Sequence, residues 1–403
     1  MTHFLCYQHN VQQFFIRHIE KFSGIIVPLS IAASFPSGTY GFLRALLAKD
    51  RAKQFALDPR SALFQHNWSR ANVREPHRKM AAILGEPFLS VGLSRPLVPE
   101  DFSLAGKTKA STEACLNYQL GFRVLEEEQR KLEKYRKLLG IDSIPKIENP
   151  QRLVPPYFQF ESIDDPWYEI SIRCAENALS VAAADKLSPV MHFSSWTGVD
   201  DWRAIARRLR AMGIMSVFVY PNKFKEHEAS EIELDRYSDC VNAVSNEDLE
   251  LYALHGGYFA ILLQKKGLSG FGNGVGYGEW RDSGYHRGGT AEVRLYIPKL
   301  HRFLDPAGAQ TLVDRGTDYF TSDSDLLSEY ALAKKPLIQV QSQEALDHFM
   351  ECRQQEIEFV RANSVEALTA ELDQTVLALS DIGGLELEIY GQSLGRWSNI
   401  LSK

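Results

Sequence analysis

Six short segments of this chain end in residues able to do chemistry. Gln54-Phe55-Ala56-Leu57 runs into Asp58, Pro156 to Phe160 into Glu161, and Pro189-Val190-Met191 into His192. Ser216 to Tyr220 leads through Pro221 to Asn222, Leu249 to Leu254 ends in His255, and a glycine run ends in Glu279. Two carboxylates facing each other suit reaction at a sugar C1′, where one attacks or stabilises an oxocarbenium-like centre and the other moves a proton. Asp58 and Glu279 are the candidates for that pair, with Glu161, His255 and His192 as further acid/base candidates. Each has a plainer alternative: Asp58 before Pro59 as a turn residue, Glu161 serving a helix start near Asp164, the histidines as hydrogen-bonded core residues.

Between residues 270 and 278 glycine occupies every even position, followed by Glu279-Trp280-Arg281. As a strand, this segment turns all its glycines to one face and offers no side chain to pack there. The bare face of Gly272, Gly274, Gly276 and Gly278 leaves space for a planar, purine-like base or for another stretch of backbone. Gly256-Gly257, just after His255, reads as a close backbone approach or as N–H groups facing an anion. Arg281 is a candidate phosphate ligand, and Asn222 and Tyr220 complete the proposed binding set. Trp196, Tyr220, Tyr258 and Trp280 are candidates for stacking on a base, or packing residues.

No cofactor or metal is expected. The first apolar run, Ile25 to Ser30, has no His-x-His pair, and the spacing of His192, His255 and His286 gives no support to a metal site. No Gly-x-Ser-x-Gly elbow anchors a serine nucleophile, and the first strand–helix turn lacks Gly-x-Gly-x-x-Gly.

The elements that must position these residues alternate. Apolar runs near 25–30, 54–57, 156–160, 189–191, 216–220, 249–254 and 270–278 read as strands, with helices from Tyr40 to Lys49, Trp202 to Met212 and Tyr258 to Lys266 between them. An eighth strand is sought in Glu292 to Ile297 or in Asp318-Tyr319-Phe320. Strand–helix alternation over this length predicts an α/β fold, a (β/α)8 TIM-type barrel spanning 1–330, whose chemistry sits at the C-terminal strand ends. A helical insertion is expected over about 76–150, with a strong helix from Cys115 to Leu139, and residues 331–403 are expected to form a C-terminal helical appendage.

A hydrophobic content of 44% with 24% charged residues is that of a soluble globular protein, and a net charge of −6 argues against indiscriminate binding to polyanions. The five cysteines are scattered without Cys-x-x-Cys spacing, so neither a disulfide framework nor a cysteine zinc site is indicated. With no cationic leader and no apolar run approaching ~18 residues, the chain is expected to be cytoplasmic, without signal peptide or membrane span.

Three segments carry a resemblance. Phe55 to Gln65 is similar to the part of tRNA-guanine transglycosylases in which an apolar strand ends in Asp-Ser-Gly-Gly-Phe-Gln, with Asp58 at the acidic position and Phe64-Gln65 displaced by two residues. Pro156 to Glu161 resembles a later strand of that family, and Arg315-Gly316-Thr317-Asp318-Tyr319-Phe320 resembles the segment before its nucleophilic aspartate. Here Thr321 follows Phe320, Asp323 lies two residues on, and the family's Cys-x-Cys-x-x-Cys segment is absent. The resemblance implies a branch without the zinc subdomain, such as the DNA-modifying relatives that insert 7-deazaguanine bases. It implies that Asp58 is an acid/base, and leaves the nucleophile open among Glu279, Asp318 and Asp323.

The expected function is therefore that of a glycosyltransferase of the transglycosylase type, exchanging a purine-like base at an N-glycosidic bond in DNA or tRNA. Two rivals stand beside it: a barrel hydrolase or lyase acting on a small phosphorylated metabolite, and a non-catalytic barrel subunit whose helical insertion docks protein partners.

Overall fold

The computed structural model describes residues 1–66, 75–122, 129–140, 150–276, 278–284 and 293–403. His286, Tyr277 and Glu292 lie outside the described residues.

Eight parallel strands form one sheet: β1 (Thr2–Cys6), β2 (Gly24–Pro28), β3 (Gln54–Asp58), β4 (Gln159–Phe160), β5 (Val190–Phe193), β6 (Ser216–Pro221), β7 (Glu250–Ala253) and β8 (Gly270–Gly274). Their spatial order is β3-β2-β1-β8-β7-β6-β5-β4. Helices connect them, as parallel pairing requires. The sheet is curled into a half-barrel. Its ladder is continuous from β3 to β4 but does not close between those two edges, where backbone bridges Ala56–Arg152 and Leu153–Leu187 carry an irregular stretch alongside.

The curl is visible in the packing. Phe4 and Cys6 of β1, Ile26 of β2, Ala56 of β3, Val190 of β5, Phe218 and Tyr220 of β6 and Tyr252 of β7 meet in one inner cluster. The odd-numbered neighbours Leu5, Ile25, Val27, Phe55 and Leu57, and Val217, Val219, Leu251 and Ala253, face the helices in two outer clusters. This is the two-residue period of a strand buried on both faces. At the base of the curl, one guanidinium ties distant strands together. Arg152 donates to Gln54 Oε1 at 2.9 Å, Ser216 Oγ at 2.9 Å and the Tyr252 hydroxyl at 2.8 Å.

The sheet has the expected eight strands, but one of them is not where the sequence placed it. The N-terminal strand β1 was absent from the sequence reading, which began near residue 24. Only five residues long, it gains its stability from pairing with both β2 and β8 at the centre of the sheet. The sought eighth strand is not where it was expected. Leu295–Ile297 is β9, which pairs antiparallel with β10 (Arg302–Leu304) in a separate two-stranded sheet, and Asp318-Tyr319-Phe320 lies in the helix Thr317–Thr321. The helix expected from Cys115 to Leu139 is two, Ala105–Gly121 and Gln129–Leu139.

Between β3 and β4 the described helices also include Glu75–Leu84. The C-terminal helices Ser342–Ala362, Val365–Ile382 and Leu385–Ser402 contribute Val360, Leu368, Leu372, Leu394, Trp397 and Ile400 to the same core as the outer faces of β5 to β8. Among the described residues, no helix is long and apolar enough to cross a membrane.

Candidate active site

The inner face of the half-barrel carries Ala56, Val190 and Phe218, so the residues two positions on, Asp58, His192 and Tyr220, point the same way at the C-terminal mouth. All three are buried.

Asp58 is the centre of the cluster. Its Oδ1 accepts the Tyr157 hydroxyl at 2.8 Å and the Arg60 N–H at 3.1 Å, and its Oδ2 accepts Arg60 Nε at 3.1 Å. The bond from the Arg60 N–H is an Asx-type turn across Pro59. It holds Arg60 in a left-handed conformation, φ 48°, ψ 35°, which disfavours a β-carbon by about 1–2 kcal/mol. The strain brings the guanidinium back over Asp58. Ser61 and Gln65 then stitch this loop to the edge of β4: Ser61 Oγ donates to the Tyr157 carbonyl at 2.6 Å, and Gln65 exchanges hydrogen bonds with the Gln159 backbone.

His192 lies flat against Tyr220, ring centroids 4.1 Å apart, and meets Tyr157 edge-on at 6.1 Å. Its Nδ1 bonds the Tyr220 carbonyl at 2.8 Å, which places the proton on Nδ1 and leaves Nε2 as an acceptor. Burial pushes its pKa down to about 3, so the ring is neutral. His255 packs edge-on to Tyr220 at 5.1 Å, and its pKa is held far below the usual imidazole range by burial and by the nearby Arg281 and Arg60. His192 Nε2, His255 Nδ1 and the Tyr220 hydroxyl have no hydrogen-bond partner among the described residues.

The loop 278–284 crosses this mouth. Lys223 N–H donates to the Arg281 carbonyl at 2.9 Å, and Ser283 N–H to Asn222 Oδ1 at 2.8 Å. Ser283 Oγ donates to Gln159 Oε1 at 2.9 Å, and it lies 3.0 Å from His66 Nε2. Arg281 thereby reaches the cleft that Arg60, Tyr157, Tyr220 and Ser283 also line. That cleft has a cavity volume of about 10 Å³, room for about one water.

Glu279, the other member of the expected pair, has different partners. It forms an ion pair with Arg353, a fully buried residue of helix Ser342–Ala362, which also pairs with Glu356 at 2.9 Å. Glu356 accepts from the Tyr296 hydroxyl at 2.6 Å and lies 2.6 Å from His301 Nδ1. Glu226 adjoins them, accepting the N–H groups of Gly257 and Phe259 at 2.9 Å each and of Ala260 at 3.2 Å. Burial raises the Glu226 carboxyl to about 7 and the Glu279 carboxyl to about 8, with Arg353 opposing both shifts.

The glycines do not leave open space. A β-carbon on Gly272 would lie 2.8 Å from the Leu254 carbonyl oxygen, on Gly274 2.9 Å from Gly278 Cα, and on Gly278 2.5 Å from Gly274 Cα. At Gly276, in the left-handed region at φ 85°, it would meet Leu346; at Gly256 it would meet Ala260, and at Gly257 the Glu226 carboxylate. Contrary to the expected base-receiving face, other parts of the chain occupy the space beside these glycines. The strand itself ends at Gly274, and the backbone turns back so that Gly274 N–H donates to the Gly278 carbonyl at 2.8 Å. Repeating glycine signals close approach, but spacing alone does not say what approaches.

Asp58, His192, His255, Tyr220, Asn222 and Arg281 therefore gather at one mouth. Glu161 is exposed in a turn where its N–H donates to Asp165. Asp318 is exposed on its helix, and Asp323 is exposed and ion-paired with Lys299. The sequence reading overlooked Arg60, Tyr157 and Arg353 as site residues. Arg60 follows Asp58 by two, a spacing typical of Asx turns, and Tyr157 was visible only as part of an apolar run. Arg353 sits among Cys352, Gln354, Gln355 and Glu356, a segment that reads as a solvated helix.

Among the described residues no group of three or more His, Cys, Asp or Glu is arranged to hold a metal ion. A scan against protein-family models returns no match to this chain, and neither does a search of curated proteins.

Proposed function

We propose that this chain is an enzyme of the transglycosylase type, acting on the N-glycosidic bond of a purine-like nucleotide in nucleic acid, with the mouth of the half-barrel as its active site. The observation that carries this reading is Asp58: a buried carboxylate at a parallel strand's C-terminal end, oriented by Tyr157 and Arg60. In its acid form a group so held gives its proton to the departing base nitrogen as the bond to C1′ breaks, and the resulting carboxylate takes a proton from the incoming base nitrogen as the new bond to C1′ forms. Such a step contributes typically ~10²–10⁴-fold to rate. The residues that resemble the transglycosylase segment, 58–65, are those stitched to the β4 edge around Asp58.

In this reading Glu279 is a positioning residue. Its pair with Arg353 anchors the start of the loop that delivers Arg281. With Glu279 in that role, the carboxylates left as nucleophile candidates from the sequence are Asp318, exposed on the helix Thr317–Thr321, and Asp323, exposed and paired with Lys299.

A second reading, a hydrolase or lyase for a small phosphorylated metabolite, is favoured by one observation: the cleft beside Asp58 is narrow. Incubation with DNA or tRNA plus labelled guanine or a 7-deazaguanine base, followed by nucleoside mass spectrometry, separates the two. Incorporation that disappears in Asp58→Asn supports base exchange; no incorporation into either polymer by folded protein overturns it in favour of the small substrate.

A further inference from the structure

We infer that Arg60 and Arg281 form a subsite for a phosphate-type oxyanion, seated in the mouth of the half-barrel beside Asp58. This deepens the function proposed above by naming the group through which the substrate is held, but its evidence is separate from any glycosidic chemistry.

Both guanidiniums line one cleft with Tyr157, Tyr220 and Ser283. The two charges face a single carboxylate among the described residues, Asp58, which pairs with Arg60 at 3.1 Å. Asp58 already accepts from Tyr157 and twice from Arg60. Asp282, the nearest other carboxylate in the loop, is engaged by Lys223 Nζ at 3.2 Å and by the Gly284 N–H at 2.7 Å. With Arg60 paired to Asp58 and Lys223 to Asp282, Arg281 leaves the mouth with an excess of positive charge. The two guanidiniums repel each other: Arg281 is held below the usual arginine range first by burial and next by Arg60.

The surrounding polar groups point to the same ligand. Tyr220 is 3% exposed and His192 is 0% exposed, and the Tyr220 hydroxyl and His192 Nε2 have no hydrogen-bond partner among the described residues. A buried hydroxyl without a partner is costly, so a donor left in this state beside two guanidiniums is poised for an acceptor. An oxyanion that places one oxygen in this water-sized cleft, its other oxygens outside, accepts there from the Tyr220 hydroxyl and the two guanidiniums, a recognition at which arginine excels. A neutral sugar or an apolar ligand satisfies the hydroxyl but leaves the two cations opposed. His192 Nε2, an acceptor, suits a protonated phosphate oxygen or an adjacent hydroxyl.

The test uses the full chain and needs no assay of catalysis. Titration calorimetry and thermal unfolding would be followed with inorganic phosphate, with deoxyguanosine 5′-monophosphate and with a short single-stranded oligodeoxynucleotide, against sodium chloride at equal ionic strength. Phosphate is expected to raise the unfolding temperature beyond the chloride control. Arg281→Gln is expected to weaken binding at least tenfold, and Asp58→Asn, which removes the competing negative charge, to tighten it. Arginine modification by phenylglyoxal in the unmutated protein, mapped by peptide mass spectrometry, gives a second readout if Arg281→Gln fails to fold. Phosphate is expected to protect Arg60 and Arg281. Tighter binding of the mononucleotide identifies a small phosphorylated ligand, and tighter binding of the oligonucleotide a phosphodiester; either supports the subsite. No stabilisation beyond chloride, or phosphate binding unchanged in folded Arg281→Gln, or no protection of the two arginines, would overturn it. Phosphate binding without base exchange leaves the subsite standing while the transglycosylase reading fails; exchange without phosphate binding does the reverse.

Discussion

The hydroxyl of Tyr157 donates a 2.8 Å hydrogen bond to Oδ1 of Asp58, from the stretch that leads into the far edge strand of the half-barrel. Asp58 ends β3 and Tyr157 precedes β4, so this contact spans the gap that the β-ladder leaves open. It joins the two edges at the mouth, above the Ala56–Arg152 bridge.

Tyr157→Phe removes the only side-chain hydroxyl bonded to Asp58 among the described residues while keeping the ring. Hydrogen bonds to charged groups are worth about 1.5–3 kcal/mol, so stability measured by urea unfolding should fall by that order. If Asp58 is the acid/base, Asp58→Asn should lower the exchange rate of the folded protein by ~10²–10⁴-fold. A variant that folds and retains full activity would remove Asp58 from the mechanism.

Arg353 pairs with both Glu279 and Glu356 and adjoins Glu226. Breaking a buried ion pair by removing one partner costs about 3–5 kcal/mol, and Arg353→Met should destabilise by that amount in chemical denaturation. Because the Glu279 pair anchors the Arg281 loop, milder Glu279→Gln should raise KM more than it lowers kcat. Equal loss in both would argue for a direct part in the reaction.

The same cluster sets a pH dependence. Glu226 and Glu279 have folded pKa values raised from 4.5 to about 7 and about 8. Over that window the folded state holds protons that the unfolded chain has released, so the contribution of these groups to stability is complete below about 4.5 and declines as pH rises towards 8. Unfolding midpoints at pH 5, 6.5 and 8 should show this decline, and Glu279→Gln should flatten it. Glu356, held below its usual range despite burial by Arg353 and His301, acts in the opposite sense, below pH 4.5.

Gly272→Ala should destabilise by about 1–3 kcal/mol, because the added carbon meets the Leu254 carbonyl oxygen at 2.8 Å and neither backbone can retreat. Gly395→Ala, in helix Leu385–Ser402 with nothing within 4 Å of the new carbon, should stabilise by about 1 kcal/mol. Paired unfolding curves read both signs. A neutral Gly272→Ala would mean that β8 lies farther from β7 than this packing has it.

All five cysteines are free and buried. Burial pushes the Cys6 thiol up to about 11 and those of Cys115 and Cys174 to about 12. Thiolate, not thiol, is the reactive form. A disulfide reagent at pH 8 should therefore label the native protein slowly and all five thiols at once in guanidinium chloride. Rapid labelling of one thiol in the native state would mark a local opening.

The strand ends were legible because a strand is locally encoded: a few alternating residues place Asp58 beyond Ala56, His192 beyond Val190 and Tyr220 beyond Phe218 on one face, whatever the rest of the chain does. The short β1 was not legible, since its place at the sheet centre depends on partners at residues 24 and 270. The run from Asp318 shows the opposite failure, apolar residues with aromatic character drawn into a helix by the helix before it. Glycine spacing told of close approach, but the approaching groups were strands and turns of the chain itself.

The sequence by itself determined that Asp58, Glu161, His192, Asn222 and His255 stand at or just past the C-terminal ends of strands; Glu279 lies beyond the end of β8 at Gly274. Only the tertiary structure decided that Glu279 turns to Arg353 while Arg281 turns to Arg60. Ionic side chains on loops are long and locally unconstrained, and desolvation forces each to take whatever partner the fold brings within reach. That choice is made by contacts between residues far apart in the chain, which no local pattern records.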